Sequence, residues 1–375
     1  MLRGIDSAVP LPIGPGSVER LDDTYCQRIV DGRLPRVITD TSLHPAAVEL
    51  PVTAAVGIGS YVGVPVTLAD GSLYGTLCCL SPTPDPSLSE RDAEFLVAVA
   101  ASMSRVLEAE LDARAAHACL VARLDPLVRG QRTSIVFQPV VSLLDGRLVG
   151  SEALARFAGD PRPVDEWFRD AELAGLTCEL ELVTARAALV GGRDLPGFLA
   201  VNLSATTLCS PGFLGLLTHV DPARLVIEIS EHEQIADYAN VLAVLAPLRA
   251  RGLRLAVDDA GAGFASLRHV VLLAPDIIKL DISLVRGIDT DPTRQALASA
   301  LTTFARQTGA QVVAEGVETE QQRAVLAEAG VGLMQGWLTS GGVSPAEFTA
   351  RWGGRRTAPR LPAPRPQVAP VAGRC

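Results

Sequence analysis

The stretch Leu253-Arg254-Leu255-Ala256-Val257-Asp258-Asp259-Ala260-Gly261-Ala262-Gly263 begins as an apolar run and stops on two adjacent carboxylates followed by small residues. A short apolar run bounded by turn-forming residues reads as a buried strand. Two acids side by side are costly to bury unless something neutralises them, so the pair belongs at the strand's end and not inside a core.

The same pattern recurs on both sides of this run. Residues 135–140, 148–152, 199–202, 225–229, 253–259, 277–281, 311–315 and 332–335 make eight apolar runs, most of them separated by helical stretches such as 238–251 and 293–308. Alternation of this kind predicts an α/β fold with a mostly parallel sheet, and eight units over this span match a (β/α)8 TIM-like barrel. The first two runs are joined only by the turn Leu144-Asp145-Gly146, which predicts one antiparallel strand.

Nearly every run closes on a group that binds metal or moves protons: Glu152, Asn202, Glu228, Asp258 with Asp259, Lys279, Glu315 and Gln335. The carboxyl ends of barrel strands open on one face, so these groups are expected to converge. A single polar strand end reads as a solvated terminus or a helix cap; a whole set at one structural phase does not. Converging carboxylates repel unless divalent cations neutralise them, and oxygen donors without His or Cys favour magnesium or manganese. His44, His117, His219, His232 and His269 all lie off these positions. An Asp-Asp pair suits a two-metal centre, one carboxylate bridging both ions.

Composition narrows the field further. The chain has 375 residues, 33 basic against 42 acidic, a net charge of −9, and 48% hydrophobic content. It therefore lacks the basic footprint of a duplex nucleic-acid binder and any polybasic membrane anchor. No apolar run reaches the roughly 18–20 residues of a membrane helix and no signal peptide opens the chain, so a soluble, cytoplasmic protein is expected. The seven cysteines show no metal spacing and read as reduced thiols.

Before the barrel, residues 1–25 are rich in Pro and Gly, and residues 61–68 and 72–80 flank Asp70-Gly71 as a hairpin. Ser89 and Asp92 open a long helix whose stripe Leu96, Val99, Met103, Leu107 and Leu111 is apolar. Its continuation toward Leu124 fits a connector that could pair with a second subunit. Residues 353–375, rich in Pro and Arg, read as a disordered tail.

Residues 134–350 resemble the EAL phosphodiesterase domain, which hydrolyses cyclic di-GMP. The resemblance rests on Phe137-Gln138-Pro139, Glu152-Ala153-Leu154-Ala155-Arg156, Asn202-Leu203-Ser204, Glu228-Ile229-Ser230-Glu231, Asp258-Asp259-Ala260-Gly261-Ala262-Gly263, Lys279-Leu280-Asp281, Glu315-Gly316-Val317-Glu318 and Gln335-Gly336, in the family's order. It implies a cyclic-guanylate-specific phosphodiesterase that cuts cyclic di-GMP to linear pGpG with two Mg2+ or Mn2+ ions per site. It implies that Glu152, Asn202, Glu228 and Asp258 ligate the first metal and Asp258 and Asp259 the second, with Glu315 at or next to the metals through water. Lys279 would orient the attacking water and Gln335 would complete the centre, so Glu152, Lys279, Glu315 and Gln335 form the catalytic set. Gln138, Leu154 and Arg156 would contact substrate, Arg156 at a phosphate as its fork geometry suits. Glu231 resembles the glutamate that holds the Asp-Asp loop in place. The chain departs from the family at Ala260 and Ala262, where Phe and Thr are usual in the loop coupling dimerisation to the metals, and in a shorter segment at 157–161 that could alter the guanine pocket.

Residues 20–110 are similar to a GAF sensor domain, through Tyr25-Cys26, Asp40-Thr41, Gly57-Ile58-Gly59, Tyr61-Val62-Gly63-Val64-Pro65 and Tyr74-Gly75-Thr76-Leu77-Cys78. The opening helix and strand of that fold are not recognisable, which reads as an incomplete sensor or a start placed too far downstream. Cys26, His44 and Cys78 could touch a ligand or simply pack. The expected organisation is a GAF-like domain over 1–110, a connector helix over 111–130, the EAL barrel over 131–352 and the tail. A homodimer with an unknown small-molecule ligand at the GAF-like domain is the expected signalling form. The alternatives are a non-catalytic cyclic di-GMP receptor, and a scaffold in which the GAF part does the work.

Overall fold

The structure is a computed structural model that describes residue 20 and residues 24–159, 161–260 and 266–354. The chain divides into two compact units, residues 1–118 and 119–375. The expected tail lies outside the described residues from 355 onward, as does the Pro/Gly-rich start up to residue 19. Among the described residues no helix is long and apolar enough to cross a membrane.

In the first unit, β1 (Val37–Ile38), β2 (Ser60–Thr67) and β3 (Leu73–Ser81) form an antiparallel sheet in that order. The expected hairpin is present, with Gly71 at φ 84° and the Asp70 carboxylate accepting the Ser72 N–H at 2.8 Å. Alternation along β2 separates two cores. Tyr61 joins Tyr25, Ile29, Ile38 and Leu50 on one face, while Val62, Val64 and Val66 pack against Ala93, Leu96 and Ala100 on the other.

Those last three belong to the helix Glu90–Val128. The Asp92 carboxylate accepts the Ser89 N–H at 2.8 Å, as the capping pair requires. The expected stripe is present at Leu96 and, half-buried, at Val99, Leu107 and Leu111, but Met103 is exposed, and Ala93, Ala100 and Ser104 complete the buried face. Small side chains let the helix approach the sheet, and Ser104 Oγ donates to the carbonyls of Thr67 and Ala100 at 2.9 and 3.0 Å. Larger apolar residues, Phe95 and Val106 among them, are left exposed.

The second unit contains the barrel. Its strands are β4 (Thr133–Ser142), β5 (Leu148–Phe157), β6 (Phe198–Asn202), β7 (Leu225–Ser230), β8 (Arg254–Ala260), β9 (Ile277–Leu280), β10 (Gln311–Ala314) and β11 (Leu333–Met334). They close in the order β10-β11-β4-β5-β6-β7-β8-β9. All neighbours are parallel except β4, which runs antiparallel to both β5 and β11, as the tight turn at 144–146 predicts. Strand β5 is five residues longer than its apolar run (152 to 157), carrying Leu154 and Arg156 as strand residues.

Inside the barrel one apolar layer draws on all eight strands: Val140, Val149, Phe198, Ala200, Val226, Ala256, Ile277, Val313 and Leu333. A second, larger core lies outside, between strands and helices. Gly150 makes the inner layer possible, because a Cβ there would sit 2.4 Å from the Phe198 ring. We expect Gly150→Ala to destabilise the barrel by about 1–3 kcal/mol through overpacking, and Phe198→Ala to offset part of that loss. Urea unfolding of the double-mutant cycle checks this; strictly additive effects would contradict the packing described.

Candidate active site

Two residues along each strand from the inner apolar layer, on the same face, stand the polar groups. Asn202 follows Ala200, Glu228 follows Val226, Asp258 follows Ala256, Lys279 follows Ile277, Glu315 follows Val313 and Gln335 follows Leu333. Side chains of a strand alternate with a period of two, so a strand that points one residue inward points the next-but-one inward too. Glu152 stands beside Gln138 in the register of β4 and β5 and joins the same ring.

Lys279 is at the centre of this ring, 2% exposed. Its Nζ lies 2.7 Å from Glu315 Oε1, 2.9 Å from Glu228 Oε2, 3.0 Å from Asp258 Oδ2 and 3.4 Å from Glu152 Oε2. Asn202 Nδ2 donates to Glu152 Oε1 at 2.9 Å, and Gln335 Nε2 donates to Glu152 Oε2 at 2.5 Å and to Gln138 Oε1 at 3.0 Å. Gln138 Nε2 in turn donates to the Ser340 carbonyl.

Burial opposes charge on every one of these groups, and the outcome differs by neighbour. At Glu152 burial is outweighed by Lys279 and by the Gln335 and Asn202 amides, so its carboxyl sits below the usual range. Burial, and then the adjoining Glu152, push Glu228 well above it. Asp258 is raised by burial and by Glu152, with Lys279 only partly offsetting them, and burial lifts Glu315 to about 8. Lys279 is held well above its ordinary value, the four carboxylates outweighing its own burial.

Asp259 adopts φ 60°, a left-handed conformation unusual for a residue with a side chain. Its N–H donates to Asp258 Oδ1 at 2.9 Å, and Ser230 Oγ donates to its Oδ2 at 3.2 Å. This turn separates the two neighbouring carboxylates into two clusters. Glu152, Glu228 and Asp258 each offer an oxygen, all within 4.8 Å of one another, and so do Asp258, Asp259 and Glu315. Asp258 is common to both. These oxygen-only donor sets suit hard divalent cations, and the Gln335 Oε1, buried without a hydrogen-bond partner, is a further acceptor in the same place. Among the described residues no histidine joins either group.

Every expected ring member is therefore brought together: Gln138, Glu152, Asn202, Glu228, Asp258, Asp259, Lys279, Glu315 and Gln335. Glu231 is buried behind it, its N–H donating to the Asp258 carbonyl at 3.1 Å and its carboxylate 3.6 Å from His232 Nδ1. Leu154 and Arg156 lie further along the face of β5 that carries Glu152, outside the cluster. Leu154 is half-buried and Arg156 exposed, with Nη1 donating to the Ala155 carbonyl. Ala260 is buried in β8, whereas Ala262 lies outside the described residues.

Three supporting groups carry no strand-end signal. Glu181, buried on the helix Thr177–Gly191, accepts the N–H and hydroxyl of Ser204, and Glu233 accepts the Ala205 N–H at 2.5 Å. Both hold the turn after Asn202. His269 bonds the Glu233 carbonyl through Nε2 at 2.9 Å and the Tyr238 hydroxyl through Nδ1 at 2.8 Å. Of the three, Glu181 alone carries a sequence signal, a polar break in a buried helix face.

A family model of the EAL domain matches residues 121–341. The chain belongs to the EAL domain family. A GAF domain model matches residues 3–107, in the N-terminal unit. Among curated proteins, the chain is 30% identical over 230 residues to the cyclic di-GMP phosphodiesterase PdeL of Escherichia coli, covering 57% of this chain and 64% of that protein. It is also 30% identical over 244 residues to the probable cyclic di-GMP phosphodiesterase PdeB of the same organism, covering 61% and 46%. It thus spans less than two thirds of either relative. The calcium/cy-diGMP complex of BlrP1 from Klebsiella pneumoniae superposes with a TM-score of 0.50 at 33% identity, over 57% of this chain and 58% of that one.

One ammonium among four buried carboxylates makes Lys279 a structural keystone of this EAL domain. In chelator-treated protein, Lys279→Met is expected to cost about 3–5 kcal/mol of stability, the range for breaking a buried ion pair. Urea denaturation reads it, and a loss below about 1 kcal/mol would contradict the arrangement.

Proposed function

We propose that the barrel unit is a metal-dependent phosphodiesterase hydrolysing cyclic di-GMP to linear pGpG. The observation that carries this reading is the pair of oxygen clusters sharing Asp258, at the carboxyl ends of the barrel strands. The printed activity of PdeL, and the ligands of BlrP1 in its calcium and manganese cy-diGMP complexes, support the substrate and the ion class.

In this reading Glu152, Asn202, Glu228 and Asp258 hold one Mg2+ or Mn2+, and Asp258 and Asp259 a second, with Glu315 beside them. Two such cations, when bound, polarise a phosphoryl group and lower the pKa of water. The chain's own residues do the rest. Lys279, kept charged by its carboxylate neighbours, has protons to donate and no lone pair, so it orients the attacking water and does not deprotonate it. Asn202 and Gln335 fix the Glu152 carboxylate, their side-chain amides donating one hydrogen bond to each oxygen. Glu231 and Ser230 hold the Asp258-Asp259 turn. Arg156, whose exposed guanidinium has donors to spare beyond its bond to Ala155, takes a substrate phosphate, with Leu154 and Gln138 lining the approach.

The proposed organisation is a GAF-like domain over 1–110, a connector over 111–130 and the barrel over 131–352. A homodimer would let a small molecule at the GAF-like domain modulate turnover. Phe95 and Val106, exposed on one side of the helix Glu90–Val128, support a pairing face there. The free cysteines support a reducing, cytoplasmic setting.

Purified chain incubated with cyclic di-GMP and Mg2+ or Mn2+ is expected to yield pGpG on chromatography, and no product with chelator. Glu152→Ala should lower turnover more than about 100-fold, beyond what loss of an outer partner usually costs, with circular dichroism unchanged. Wild-type turnover in that variant would remove the reading, and binding without product would favour a receptor.

A further inference from the structure

The N-terminal unit contains a polar cluster that the barrel chemistry does not use. Tyr61 in β2 is 2% exposed, and its hydroxyl has no hydrogen-bond partner among the described residues. Its ring stacks on Tyr25 at 4.6 Å between centroids and lies over Gly63, where a Cβ would be 2.7 Å from the hydroxyl oxygen. Gly63 pairs with Cys78 in β3. Cys26 is the residue after Tyr25 on the helix Tyr25–Val30, and its thiol adjoins that of Cys78, with the Thr76 and Tyr61 hydroxyls also bearing on it. Two thiols therefore meet beneath a buried hydroxyl that has a proton to give and no acceptor with hydrogen-bond geometry. An orphaned buried donor is costly, and an anionic or oxygenated sulfur would satisfy it.

We propose that Cys26 and Cys78 form a peroxide-reactive dithiol site that closes reversibly to an intramolecular disulfide. The Cys78 thiol, together with the two hydroxyls, draws the Cys26 thiol down to about 6 against its burial, so Cys26 is the nucleophile. Cys78 is pushed up by its partner and by burial, so it stays a thiol until needed. The Cys26 thiolate attacks one oxygen of a hydroperoxide. The O–O bond breaks, Cys26 becomes a sulfenic acid, and the other oxygen leaves as hydroxide or alkoxide and takes up a proton. The Cys78 sulfur then attacks the sulfenic sulfur, the S–S bond forms, and water leaves with the Cys78 proton. The peroxide gains two electrons and each sulfur loses one. A thiol reductant such as glutathione or thioredoxin reverses the step by exchange. Cys79, one residue on, faces the other side of the strand and takes no part.

The test treats the intact chain with hydrogen peroxide, alkylates the remaining thiols, and maps tryptic peptides without reduction. Peptide 21–28, holding Cys26, is expected linked to peptide 37–91, with the link removed by dithiothreitol. It should vanish in Cys26→Ser and in Cys78→Ser and persist in Cys79→Ser. Cys26 left alkylatable after peroxide would overturn the proposal, and so would a link lost in Cys79→Ser but kept in Cys78→Ser.

Discussion

Lys279, itself almost fully buried, sets a single positive charge within 3.4 Å of carboxylate oxygens on or at the ends of four different strands. Four acids against one base leave an excess of negative charge. In a medium of low dielectric that excess cannot be ignored, because each added charge costs more there than in water. The upward shifts at Glu228, Asp258 and Glu315 come first from burial and then from the neighbouring carboxylates, so without further positive charge the protonated form of each is favoured relative to a free acid. Divalent cations are the alternative to those protons, and the two oxygen clusters joined at Asp258 are where they would compete.

That imbalance sits on a layer that is apolar and closely packed. Eight strands each contribute to one apolar layer, with Phe198 fitted into the space that Gly150 leaves open. The polar ring is the next layer along, so its members are placed by strand register and not by loops. Loops and helices act on the ring from outside: Glu181 and Glu233 tie down the turn after Asn202, and Ser230 steadies the left-handed Asp259.

Much of this was legible in the sequence. A period of two along each strand, ending on a polar residue, is a local signal, and so Glu152, Asn202, Glu228, Asp258, Lys279, Glu315 and Gln335 could be read as one set. The antiparallel β4 was legible from its two-strand turn. What escaped depends on contacts distant in sequence. Glu233 and His269 sit on loop and helix with no periodic mark, and the relay from Ser340 through Gln138 and Gln335 to Glu152 crosses the barrel seam. One position of the stripe on the helix Glu90–Val128 was misread because hydropathy favours Met103 over Ser104. The sheet instead accepts the small residue, whose hydroxyl finds backbone carbonyls. The length of β5 beyond Glu152 is likewise set by pairing with β4, which the composition of residues 153–157 does not reveal.

On the proposed function the ring of carboxylates receives cations before substrate, so the decisive quantity is how many it takes. Calorimetric titration of metal-free protein with Mn2+ should give two ions per chain in the wild type, and fewer when Asp259 is replaced by Asn. A wild-type chain that takes up no Mn2+ would contradict it.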